Sequence, residues 1–118
     1  ACFEQFPTAR EIETLLAEFD SPWLGYVHDF GHAERQAQLG FLDHAEQLQR
    51  LGSRLIACHV HDLVWPDEDH AVPGQGIIDF RQLIPMLPKN ADVVWEIQKR
   101  RKSADIKAAL THRKETFS

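Results

Sequence analysis

No apolar stretch in the 118 residues approaches the roughly 20 that a membrane-spanning helix needs. The longest runs, "RLIACHV" and "DVVWEI", are strand-sized. No charged-then-apolar leader precedes them, so a soluble, cytoplasmic protein is expected. Cysteine is scarce too. Cys2 and Cys58 form neither a CxxC pair nor a disulfide framework, and reduced thiols without functional weight are expected. Excess positive charge is missing. A formal charge of −5 argues against broad affinity for nucleic acid, because such binding depends on neutralising phosphates with Lys and Arg. The chain also lacks a low-complexity linker and any tight hairpin turn between its apolar runs. What remains, 43% hydrophobic and 26% charged residues, is the balance of a globular protein, and the length suits one domain rather than two.

Hydrophobic periodicity predicts alternating elements. Thr8 and Glu11 form a capping box, and Ile12, Leu15, Leu16 and Phe19 follow at helical spacing, so a first helix should end near "FDSP". "WLGYVHDF" reads as a buried strand. A single long helix is expected from about Ala33 to Leu51, with Leu42, Ala45 and Leu48 on one face and Gly52 as its stop. "SRLIACHVH" is the next strand, followed by a loop containing Pro and Gly. Asp79 should cap a short helix carrying Phe80, Leu83, Ile84 and Leu87, made irregular near residues 81–85 by Pro85. "DVVWEIQ" is a strand, Ser103 caps a last helix with Ile106, Ala109 and Leu110, and "ACFE" is the stub of a first strand. Continuously apolar strands alternating with helices predict an α/β fold, four βα units around a parallel sheet.

Each predicted strand carries one carboxylate or histidine near its C-terminal end: Glu4, Asp29, His59 and Glu96. In a parallel sheet these ends share one edge. Period-two alternation places Leu55, Ala57 and His59 on one face with Ile56 and Cys58 opposite, and Val94 on the face of Glu96 with Val93 and Trp95 toward helices. The four polar groups can therefore converge. Three acids and an imidazole suit a divalent metal ion, Mn²⁺, Mg²⁺, Co²⁺ or Zn²⁺, rather than copper or an iron–sulfur cluster. Buried carboxylates without counter-charge would be costly, and a cation relieves that cost. The plainer alternative is that each acid caps a helix or pairs with a base; four in register favour the ion.

"EQFP", "YVHDFGHAE", "CHVHD", "DHAVPGQGIIDF" and "VVWEI", in that order, resemble the C-terminal half of the xylose isomerase-like TIM barrels. That superfamily includes sugar isomerases and epimerases and the endonuclease IV type of apurinic-site nuclease. The resemblance covers essentially the whole chain, 1–118 as one half-barrel unit, and is most specific at Asp29 to His32, His59 to Asp62 and Asp69 to Gly76. It implies strands five to eight of a full barrel, with Glu4, Asp29, His59 and Glu96 as metal ligands at its mouth. It also implies a metal-dependent isomerase or epimerase acting on a small sugar or sugar phosphate. Proton transfer next to a carbonyl would pass through an enediolate, with Glu4 and Glu96 as base and acid on opposite sides of the reacting carbon.

By the same resemblance His32 matches a substrate-contacting or second-metal histidine. His70 matches the histidine that binds an additional zinc in the nuclease branch, where an acidic companion lies two residues earlier. Here that companion is Glu68, flanked by Asp67 and Asp69. This departure weighs against a three-zinc phosphodiesterase, which stays as the alternative beside a non-catalytic assembly module. His70 is left between substrate contact and solvent. His61 and Asp62 are expected to be loop residues or groups that orient His59, His28 to pack against a helix, and His44 and His112 to face solvent from helices. "KRRK", residues 99–102, is either a phosphate contact near the last strand or a solvated charge run, the second being favoured.

Four strands of an eight-stranded barrel would leave two open edges and an apolar sheet face in water. Completion is expected from a second copy, as a homodimer, or from a missing N-terminal half. The start only three residues before Glu4 favours truncation of a longer chain, and the 118-residue piece alone is expected to be weak or inactive.

Overall fold

A computed structural model describes residues 8–97 together with Lys107. The expected first strand with Glu4, the "KRRK" run, the helix capped by Ser103 and His112 lie outside the described residues.

Helix α1 spans Ala9–Glu18, and the Thr8 hydroxyl accepts the Glu11 N–H at 3.2 Å, which supplies one of the orphan donors of a first turn with a partner. Strand β1, Tyr26–Asp29, leads directly into α2, Phe30–Gln38. Helix α3, His44–Leu51, precedes β2, Leu55–Val60. Two short strands follow, β3 at Asp62–Val64 and β4 at Glu68–Ala71, then α4 at Phe80–Leu83 and β5 at Asp92–Trp95. The parallel sheet runs β1-β2-β5, with Asp29 level with His59 and His59 level with Val94.

Leu16, Phe30, Leu48, Leu51, Cys58, Val60, Phe80 and Leu83 fill the space between helices and sheet. Burying each large side chain contributes about 1.5–3 kcal/mol, so this layer is the main source of stability. Arg54 ties the end of α1 to the approach of β1, donating to the Leu16 carbonyl at 3.0 Å and the Leu24 carbonyl at 2.9 Å. The opposite sheet face carries Val27, Ile56 and Val94, each about half exposed.

Four expectations change. The long helix over 33–51 is two helices: α2 stops at Gln38, Gly40 takes φ 86°, and the Asp43 carboxylate caps α3 by accepting the Glu46 N–H at 2.9 Å. The expected loop after β2 contains an antiparallel hairpin, β3 with β4, turning at a cis Trp65–Pro66 peptide. Leu55 packs in the core with Cys58 while Ile56 is exposed, coincident with a register irregularity between Tyr26 and Val27. His44 is buried rather than solvent-facing. As expected, Pro85 sits in an irregular segment, where α4 passes into a 3₁₀ turn at Ile84–Met86.

A buried chain of hydrogen bonds explains His44. Gln47 Nε2 donates to the Tyr26 hydroxyl at 2.8 Å, which lies 2.7 Å from His28 Nδ1. His28 Nε2 is 2.9 Å from His44 Nε2, and His44 Nδ1 is 3.2 Å from Glu34 Oε2. One placement of protons satisfies every link: Tyr26 donates to His28, His28 to His44, and His44 to Glu34. His28 thus packs against helices, as expected, and burial, with His44 beside it and Asp29 opposing, holds it neutral with a pKa lowered to about 3. Cys58 is a buried free thiol, its pKa pushed up to about 11 by burial.

Candidate metal centre

Three adjacent parallel strands end at one rim, and each delivers a group with a lone pair. Asp29 closes β1 and caps α2, its Oδ1 accepting the His32 N–H at 2.9 Å. His59 lies on β2, and Glu96 follows β5, its N–H bound to the Val60 carbonyl at 3.1 Å. His59 Nδ1 stands 3.8 Å from Asp29 Oδ2 and 3.4 Å from Glu96 Oε2. Ligand atoms bonded to one ion at about 2.1 Å stand about 3.0–3.5 Å apart, so small side-chain adjustments would let these three share a cation. Their donor atoms lie within 4.8 Å of one another. The structure therefore brings together three of the four expected ligands; Glu4 is not among the described residues.

Burial alone would raise the Asp29 pKa, but hydrogen bonds from His61 and the His32 N–H, with both imidazoles nearby, hold it down to about 2. The carboxylate is thus charged at neutral pH, as a ligand must be.

His32, expected to meet substrate or a second metal, projects from the first turn of α2, with Nδ1 3.6 Å from Asp29 Oδ2 and Nε2 3.9 Å from Asp69 Oδ2. His70 is partly buried, neither in the core nor in open solvent: Nε2 is 3.5 Å from Glu96 Oε2 and Nδ1 is 2.9 Å from Asp69 Oδ1. Its hydrogen-bonded neighbour lowers the Asp69 pKa against the effect of burial. The acid in contact with His70 is thus Asp69. Neither Asp69 nor His61 stood in the expected site, and His61 is completely buried, with Nε2 2.7 Å from Asp29 Oδ1. Of the two roles expected for His61 and Asp62, orienting His59 is corrected, since neither is hydrogen-bonded to it, while a part in holding the loop stands for Asp62. The H-x-H spacing carried a signal for His61, which follows the end of β2 directly and lies two residues after His59.

Asp62 has a different duty. Its Oδ1 accepts the Leu63 and Ile78 N–H groups at 2.9 and 3.1 Å, and its Oδ2 those of Gly74 and Gly76, both at 2.9 Å. One buried carboxylate thereby closes the loop that follows β4. A β-carbon at Gly76 would lie 2.3 Å from the Leu63 carbonyl oxygen, so the loop can approach only as glycine.

Parallel strands joined by helical crossovers, with carboxylates and imidazoles gathered at their C-terminal rim, define a segment of an α/β barrel. A family model described as xylose isomerase-like TIM barrel matches residues 2–115, and the chain belongs to that family. It is 30% identical over 80 residues to "Uncharacterized protein MJ1311" of Methanocaldococcus jannaschii, covering 68% of this chain and 27% of that protein. It is 36% identical over 66 residues to "Uncharacterized protein y4fM" of Sinorhizobium fredii, covering 56% of this chain and 20% of that protein. The chain thus spans about a quarter of the length of these relatives. Among the described residues no helix is long and apolar enough to cross a membrane.

Proposed function

We propose that the chain forms the metal-bearing half of a divalent-cation-dependent sugar isomerase or epimerase. The observation that supports this most is the meeting of Asp29, His59 and Glu96 donor atoms at the ends of three neighbouring strands, with Glu4 proposed as the fourth ligand. A bound Mn²⁺, Mg²⁺, Co²⁺ or Zn²⁺ would supply positive charge to neighbouring oxygens of a ketose or aldose, lowering the cost of negative charge beside the carbonyl. Asp29 and His59 hold and orient. Glu96, less buried than Asp29, has a carboxylate within reach of both His59 and His70 and serves as one proton-transfer group, with Glu4 as the other. His32 and His70 line the same rim and bind sugar hydroxyls.

Val27, Ile56 and Val94 form an apolar face that a full barrel would cover, and we propose a second copy or an N-terminal half-barrel as the cover. Water exclusion, which strengthens electrostatic catalysis, depends on that cover.

A second reading, a zinc phosphodiesterase acting on abasic DNA, is favoured by one contact: Asp69 lies between His32 and His70 and could serve as the acidic companion of a further zinc. The hydrogen bond between His70 Nδ1 and Asp69 Oδ1 occupies one of those two contacts and weighs against it. The test is incubation with Mn²⁺ and a panel of ketoses in D₂O. The first reading expects metal-dependent deuterium entry beside the carbonyl, lost in Glu96→Gln. Cleavage of abasic duplex without any exchange would overturn it in favour of the second, and metal binding with neither activity would favour an assembly module.

A further inference from the structure

We propose that His61 is not a metal ligand but the positioning residue for Asp29, fixed as the Nε2–H tautomer by the backbone of His70. This rests on the metal-centre reading above. It also decides among three possible groupings of donor atoms: Asp29/His32/His61, His61/His70/Glu96 and Asp29/His59/Glu96.

The proton assignment follows from what each neighbour can do. The His70 backbone N–H can only donate, and it meets His61 Nδ1 at 2.9 Å, so Nδ1 must present its lone pair. The neutral ring then carries its proton on Nε2, 2.7 Å from Asp29 Oδ1. Both nitrogens are occupied, and a cation could take His61 only by displacing a proton or breaking the bond to His70. Two of the three groupings need His61 and fall. The one left contains no His61.

The surroundings hold this ring in place. His70 adopts φ 55°, a left-handed conformation that residues with a β-carbon rarely take. In that conformation its N–H points at His61 while its own ring stacks on the His61 ring, centroids 4.2 Å apart and planes 6° from parallel. From the other side Gly31 leaves the space: a β-carbon there would lie 2.0 Å from His61 Cε1. The three sequence motifs therefore interlock at one imidazole. The consequence for Asp29 is division of labour. Oδ1 takes two donors, His61 Nε2–H and the His32 N–H, which fixes the carboxylate plane and leaves Oδ2 for the rim, 3.8 Å from His59 Nδ1 and 3.6 Å from His32 Nδ1.

The direct test is long-range ¹H–¹⁵N correlation of the ¹⁵N-histidine-labelled chain at neutral pH, before and after Zn²⁺. The expected result is a bare Nδ1 and protonated Nε2 at His61 in both states, while the His59 Nδ1 resonance moves to a ligand position. An Nδ1–H or doubly protonated His61 without metal, or loss of its Nε2 proton on adding zinc, would overturn the proposal. Absence of any zinc response with the Nε2–H tautomer intact would instead overturn the metal centre itself, and with it the purpose assigned to His61. A second readout separates positioning from ligation. His61→Phe should weaken Co²⁺ binding by about 10–100-fold without changing the number of nitrogen ligands seen by X-ray absorption, and His61→Gln, which keeps an N–H donor, should recover most of that. One nitrogen fewer in both variants would show that His61 is a ligand.

Discussion

Gly31 and His61 share one space: the imidazole lies where a β-carbon on residue 31 would be, 2.0 Å from that position. Gly31→Ala must therefore push a completely buried ring that is bonded at both nitrogens. Overpacking of this kind costs about 1–3 kcal/mol. Denaturant unfolding should register that loss, and zinc titration a fall of about 10–100-fold in affinity. Unchanged stability and affinity would mean the ring is not held there.

Asp62 accepts four backbone N–H groups and is fully buried. Asp62→Asn replaces one acceptor oxygen by a donor facing donors, and Asp62→Ala leaves all four amides to find other partners. Each unsatisfied buried group costs about 1–3 kcal/mol. A drop in thermal stability is expected for both, with amide exchange accelerated at Gly74, Gly76 and Ile78. Protection at those amides equal to the parent's would contradict the assignment.

His28 stays neutral because it is buried among Tyr26, His44 and Phe30. Its folded pKa is about 3, below the ordinary 6.5, so between those values the unfolded chain binds a proton that the folded chain does not. Stability from this group is complete above about pH 6.5 and declines as pH falls toward 3, by about 1.4 kcal/mol per pH unit. Proton NMR titration should show the His28 ring unprotonated at pH 5. A midpoint near 6.5 would contradict the buried relay.

Gly40 at φ 86° has open space around its Cα, so only backbone strain opposes a side chain there. Gly40→Ala should destabilise by about 1 kcal/mol and Gly40→Asn by less, because Asn tolerates the left-handed region. Equal stability of the parent and Gly40→Ala in urea would argue for a continuous helix across residues 38–44.

That break shows where the sequence was and was not legible. Apolar spacing alone joined α2 to α3, although Gly40 and the Asp43-to-Glu46 cap both mark a stop; periodicity outweighed punctuation. The parallel strands and the Thr8 cap were legible because their signals are local. So were Asp29, His59 and Glu96, since strand-end position and alternation fix the rim they occupy. The β3–β4 hairpin was not, because its turn carries none of the usual glycine pairs and its strands hold charged residues such as Glu68 and Asp69. His44 was misread for another reason. A polar residue on a helix is ordinarily solvated, and only the tertiary meeting with His28 and Glu34 supplies buried partners. The partner of His61 was likewise a tertiary fact, set by the left-handed turn at His70.

The most direct measurement is calorimetric titration of the chain with Zn²⁺, repeated on Asp29→Asn, His59→Ala and Glu96→Gln. Convergence of the three groups on one ion predicts a single site in the parent, weakened in each variant by more than the about 10–100-fold that loss of an outer partner brings. Binding that is missing from the parent, or indifferent to all three substitutions, would contradict it.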